Sequence, residues 1–158
     1  MRAMQTYHPL NENFEERVRS SFARQGLMAG IGARLFKVTP GEVGIELLFR
    51  DDLTQQHNFV HAGIITSIVD SACGYAALSL MPPGADVLTV EYKVNFMAPA
   101  QGSKFTALGK VTKPGRTLTV CAGDVIAFDD GKETLIATML ATMIKLPEKT
   151  SSSESKTN

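Results

Sequence analysis

The sequence predicts an α+β domain in which one long apolar helix is wrapped by a curved antiparallel sheet. Three observations carry this. Apolar residues in the stretch 62–78 recur at 64/68/72/76 and 65/69/77, the period of a helix with one broad apolar face. Two strand-like runs precede that stretch and four follow it, separated by turn signals. A helix so apolar cannot lie in solvent, and a sheet with one apolar face is the economical way to cover it.

Taken in order, residues 11–24 (NENFEERVRSSFAR) read as a short amphipathic helix. Asn11 or Asn13 suits its N-cap, Glu15 and Glu16 its first turn, and Gly26 its end. Phe14, Val18 and Phe22 form its apolar stripe. Residues 30–49 read as a hairpin turning at Pro40-Gly41, with Val43, Ile45, Leu47 and Phe49 on one face of the second strand. The polar stretch 50–60 leads into the long helix, which Pro82-Pro83-Gly84 stops. Four strands are predicted at 86–97, 103–112, 116–128 and 133–146. The third is apolar on both faces, which places it centrally. Domain boundaries follow: an N-terminal segment at 1–29, the helix-and-sheet domain at 30–146, and a polar, low-complexity tail at 147–158 that reads as disordered.

Composition excludes several classes. The 158 residues balance 16 Lys+Arg against 16 Asp+Glu, so no basic field draws the chain to nucleic acid. No run is long enough to span a membrane, and the N-terminus has no apolar signal region. Cys73 and Cys121 stand in apolar segments without a CxxC pattern, the usage of buried free thiols in a reducing cytoplasm. The glycines at 26, 30 and 32 precede strand-like residues rather than opening a helix, which argues against a dinucleotide loop. His57 and His61 are spaced i, i+4, but in a loop and without a third ligand nearby, so no metal site is expected.

The chemistry centres on Asp70. A carboxylate inside an apolar helix costs several kcal/mol if desolvated and unpaired, so its presence needs a reason. On a helical wheel it shares a direction with Gly63, Thr66, Ser67, Gly74 and Ala77, all small, which would let a ligand or a second backbone approach. At the start of the same helix, the amides of Ala62, Gly63 and Ile64 are candidates to bind a developing oxyanion. Asp70 lies about 10 Å further along the axis, too far to act on a carbonyl held by its own helix. An antiparallel second copy of the helix would bring the two parts together.

The order Gln55…His61-Ala62-Gly63…Asp70, the strand VEYKVNFMAPA at 90–100 and Gly115-Arg116-Thr117-Leu118 resemble the hotdog-fold acyl-CoA thioesterases of the PaaI type, over roughly residues 30–146. The resemblance implies a hotdog fold with an extra short N-terminal helix, and hydrolysis of an acyl-CoA to free acid and coenzyme A. It implies a homodimer, or a homotetramer as a dimer of dimers, with sites at the dimer interface and no cofactor beyond the coenzyme A of the substrate. By resemblance, Asp70 is the base or nucleophile, and the backbone N–H of Ala62 or Gly63 polarises the carbonyl. Gln55 orients water or the carbonyl, His61 orients the turn, and Thr89 of the partner subunit holds the attacking water. Lys113 and Arg116, with Asn58, Val90, Gly115 and Thr117, contact coenzyme A. Two departures stand out: Ala62 replaces the middle glycine of a His-Gly-Gly turn, and Gln55 replaces a shorter Asn.

Plainer readings stand beside these. Asp70 is otherwise a structural acid bonded to hydroxyls such as that of Ser67, and His61 a turn-stabilising residue. Gln55 and Thr89 are otherwise polar filler, and Lys113 and Arg116 a solvated hairpin end. Two other functions remain open, a hotdog hydratase or dehydratase using His61, and a non-catalytic acyl-CoA binding module.

Overall fold

The computed structural model describes residues 6–148. Among them are three α-helices, α1 (Phe14–Ala23), α2 (Gly26–Ile31) and α3 (Ala62–Leu78). Six strands join them: β1 (Arg34–Thr39), β2 (Glu42–Leu48), β3 (Asp86–Phe96), β4 (Lys104–Lys113), β5 (Leu118–Asp129) and β6 (Lys132–Leu146). The strands form one antiparallel sheet in the order β1-β2-β4-β5-β6-β3. α3 leaves the β2 side and returns as β3 at the far edge, so it crosses the face of the sheet and packs on β2 through β6. The polar tail expected from 147 falls almost wholly at 149–158, outside the described residues.

Alternation along the strands sorts the two faces. Val43, Ile45, Leu47, Phe105, Ala107, Val111, Cys121, Val125, Ala137, Met139, Ala141 and Met143 point inward and are buried. They meet Ile65, Ile68, Val69, Ala72, Cys73 and Ala76 of α3, which are completely buried. Burying each large side chain stabilises the fold by about 1.5–3 kcal/mol. β5 is interior, as expected from its sequence, but only one of its faces is covered: Leu118 and Ala122 look out to solvent.

Two glycines let the helix sit deep. Gly109 of β4 faces Gly123 of β5 across the ladder. A Cβ at Gly109 would collide with the backbone of Ala72 and Cys73, and one at Gly123 would come within 2.6 Å of Val69 Cγ2 and 2.8 Å of Cys73 Sγ. The sheet therefore offers a notch where α3 crosses it.

The N-terminal segment differs from expectation in one respect. Gly26 does not close a single helix; it begins α2, which ends at Gly32 with φ +77°. Asn13 is the N-cap of α1 without a side-chain bond, and its own amide donates to the Asn11 side chain. α1 is fastened to the end of α3 by Arg17, whose guanidinium donates to the carbonyls of Leu78, Met81 and Pro82 at 2.6–2.7 Å. Those carbonyls belong to the helix end and the turn after it, where a cation is favoured. Burial lowers the Arg17 pKa, partly offset by Asp86. The β1–β2 turn closes the same end: Gly41, at φ +77°, donates its amide to buried Ser79 at 2.8 Å.

Candidate active site

α3 begins at a cap made by His61. Its Nδ1 accepts the Gly63 amide at 2.8 Å, and its carbonyl accepts the Ile64 amide at 2.9 Å. Two of the three amides expected to be free at this helix start are therefore engaged. Ala62 alone keeps an unpaired first-turn N–H among the described residues. Of the two amides expected to polarise a carbonyl, Ala62 and Gly63, only that of Ala62 is open to a ligand, since Gly63 serves the cap. His61 acts here as a turn residue, its Nδ1 serving as the acceptor that caps the helix.

The preceding loop holds Gln55 beside this amide. Thr54 bridges Val60, and His61 N–H donates to Leu53 O at 2.8 Å. Asn58 adopts φ +63°, a conformation Asn tolerates, and donates its amide to the Gln55 carbonyl at 3.0 Å. The Gln55 Oε1 accepts from His57 N–H, which leaves its NH2 group for a ligand. Gln55, Gln56, His61 and Ala62 line a cavity of about 610 Å³ whose remaining wall is apolar, including Phe59, Ile65, Phe96, Met97 and Ile136.

Asp70 lies elsewhere, in a second cleft of about 370 Å³ with Thr89. It is half-buried, and that burial raises its pKa above the ordinary carboxylate value. The Thr89 hydroxyl donates to Asp70 Oδ1 at 2.9 Å and partly offsets the rise. Thr89 was expected from a partner subunit, but it reaches Asp70 within one chain. The cause is topological: β3 flanks α3 at the sheet edge, and Thr89 points to the helix side opposite Met143. Ser67 does not bond Asp70; its hydroxyl donates to Gly63 O at 2.7 Å. The small face holds at Gly63, Thr66, Ser67 and Gly74, but Ala77 is buried, since the α3 end is enclosed by Arg17 and the β1–β2 turn.

The remaining cleft residues were not foreseen. α1 and the residues after it contribute Ser21, Arg24 and Gln25, α3 contributes Ser71 and Tyr75 beside the expected Gly74, and β3 begins the wall at Asp86, Val87 and Leu88. The N-terminal helix therefore builds a wall of the Asp70 cleft. A signal was available: Arg17, Ser21 and Arg24 form a polar row at helical spacing beside the Phe14/Val18/Phe22 stripe.

The expected coenzyme A contacts are spread out. Gly115 and Arg116 line a third cavity, about 360 Å³, at the end of α3 with Leu80 and Lys145. Gly115 is required by close approach, because a Cβ there would collide with the Leu118 carbonyl. Lys113 ends β4 and is exposed, and the Thr117 carbonyl accepts from Lys145 N–H at 2.8 Å. Val90 is the extra residue of a bulge in β3 between Thr89 and Glu91, and Asn58 shapes the Gln55 loop. Among the described residues, no three His, Cys, Asp or Glu side chains are grouped to hold a metal, and no helix is long and apolar enough to cross a membrane.

Known proteins share this fold. A family model described as the thioesterase superfamily matches residues 57–134, from the Gln55 loop through β5. A crystal structure of a thioesterase family protein from Silicibacter pomeroyi is 53% identical, with a TM-score of 0.84 over 85% of this chain and 98% of that one. This chain belongs to the thioesterase superfamily. A candidate esterase of Saccharolobus solfataricus is 32% identical over 124 residues, 78% of this chain and 80% of that protein. The PaaI protein of Escherichia coli, from a phenylacetic acid degradation operon, shares the fold at 15% identity, with a TM-score of 0.78 over 88% of this chain and 97% of that one. The chain thus shares the hotdog fold of the PaaI protein, and its family comprises thioesterases and esterases, which are hydrolases.

Proposed function

We propose that this protein hydrolyses acyl-CoA thioesters to a free acid and coenzyme A, with each site built by two copies of the chain. The observation that carries the proposal is the division of the catalytic parts: Asp70 and Thr89 line one cleft, while Gln55 and the unpaired Ala62 amide line another. About 10 Å of helix separates them along α3, so one chain offers a base without an oxyanion donor at one place and a donor without a base at the other. A two-fold axis relating antiparallel copies of α3 joins the halves. The edge strand β3 supports this pairing, since Leu88, Val90, Tyr92 and Phe96, with Met97 just after it, leave it about half-exposed and apolar.

In the completed site, the Ala62 N–H of one copy donates to the thioester carbonyl oxygen. Asp70 of the other, ionised, takes a proton from water as that water adds to the carbonyl carbon. Collapse of the tetrahedral intermediate breaks the C–S bond, and the proton held by Asp70 passes to the departing sulfur. The Gln55 NH2 group orients the carbonyl or the water. Asn58, Val90, Lys113, Gly115, Arg116 and Thr117 are assigned to the coenzyme A arm, with the cations Lys113 and Arg116 facing its phosphates. Either a dimer or a dimer of dimers satisfies this scheme.

The test is thiol release from a panel of acyl-CoAs with Asp70→Asn as control. The substitution keeps shape and removes the base, so turnover is expected to fall by roughly 10²–10⁴-fold while acyl-CoA still binds. Undiminished turnover in the variant would assign the chemistry to another group. Binding without turnover by the unaltered protein would favour a carrier, and hydration of an enoyl-CoA would favour a hydratase.

A further inference from the structure

The two cavities flanking α3 differ in chemistry. Beyond Gln55, Gln56 and His61, the cavity at the helix start is walled mainly by hydrocarbon side chains. The cleft beside Asp70 ends on hydrogen-bonding groups. Tyr75 is only 4% exposed, and its hydroxyl lies 3.2 Å from Ser21 Oγ. Gln25 Oε1 accepts from Ser71 Oγ at 3.3 Å, on the same wall as Tyr75. Arg24 and Asp86 line the same cleft, and with Asp70 they set two acids against one cation, which disfavours an anionic acyl tail. At about 370 Å³ the cleft is near the lower end of the roughly 300–1,000 Å³ usual for small-molecule pockets, too small for coenzyme A itself.

We propose that this cleft takes the acyl part of the substrate, and that Tyr75, Ser21 and Gln25 select a short acyl group ending in an uncharged oxygen over an alkyl group of the same length. This rests on the acyl-CoA reading above, which places the scissile carbonyl beside Asp70. The selection has a simple cause. An alkyl tail pressed on this floor displaces water from buried hydroxyl and amide groups and returns no hydrogen bond, whereas a hydroxyl or carbonyl tail replaces the bond it removes. The floor exists because the N-terminal segment lies across α3, so the specificity belongs to the segment that precedes the hotdog domain.

The experiment compares kcat/KM for 4-hydroxybutyryl-CoA against butyryl-CoA, and for 6-hydroxyhexanoyl-CoA against hexanoyl-CoA. At least one pair is expected to favour the hydroxyl by about tenfold or more. Tyr75→Phe, and separately Ser21→Ala, should each reduce that ratio toward one. Preference for the alkyl member in both pairs overturns the proposal, as does a ratio that survives both substitutions. An equal loss on every substrate would place Tyr75 against the coenzyme A arm and overturn it too. The same ratios read as Kd by calorimetry in Asp70→Asn keep the two readings apart. Failure of all substrates to turn over strikes the hydrolase reading, while the Kd ratio still decides the selectivity.

Discussion

Asp70 is tuned by two opposed effects: burial raises its pKa, and the Thr89 hydroxyl pulls it back. A base must be ionised to accept a proton, so the rate should fall on the acid side at a pH above the ordinary carboxylate range, roughly 4 in free peptides. Removing the hydrogen bond that lowers the pKa leaves burial unopposed. Thr89→Val is therefore expected to move the acid limb of the kcat/KM profile to higher pH, and Thr89→Ser to leave it in place. A profile unmoved by Thr89→Val would show that this bond does not act on the base. Asp70 itself was legible in the sequence, because an acid within an apolar period stands out. Its partner was half legible: Thr89 was found, but on the wrong chain, since adjacency of β3 and α3 is a matter of sheet order that no local pattern records.

At the scale of elements, the period of α3 and the alternation of the strands were readable because each is written in consecutive residues. What the sequence hid was how close the elements come. Gly109 and Gly123 look like weak points of two strands, yet they form the notch under Ala72 and Cys73. Their neighbours differ in compliance, and this orders two substitutions. Gly109→Ala drives a methyl into helix backbone, which can yield only by moving α3 off the sheet. Gly123→Ala meets the ends of the Val69 and Cys73 side chains, which can turn aside. The first should cost about 2–3 kcal/mol or more and lower Tm by roughly 5 °C or more, and the second clearly less. Thermal melts of the two variants check the order, and the reverse order would mean that the helix, not the side chains, gives way. α2 was missed for a related reason: a glycine after an amphipathic run reads as a stop, but here the chain turns at Gln25 and resumes.

At the scale of the whole molecule, the site has one half at each of two places on α3, and a second copy is the proposed remedy. That idea makes a demand that ordinary loss-of-function variants do not. Ala62 is the first residue of the helix after the His61 cap, a position where proline is well accommodated because its ring already has the helical φ. Ala62→Pro therefore deletes the one unpaired amide with little disturbance of α3. Asp70→Asn deletes the base. Each variant alone has no complete site, since every pairing of identical copies lacks the same half twice. When the two are mixed and the subunits exchanged, a mixed dimer carries one site with both defects and one with neither. Random exchange makes half of the dimers mixed, so about a quarter of the original turnover should return. Thiol release before and after exchange measures it, with size-exclusion chromatography reporting that copies associate. Recovery can arise only if Asp70 and the Ala62 amide act from different chains. No recovery from folded, exchanged dimers would put both groups to work within one chain, and the geometry along α3 would then require the substrate to span about 10 Å of helix to reach them.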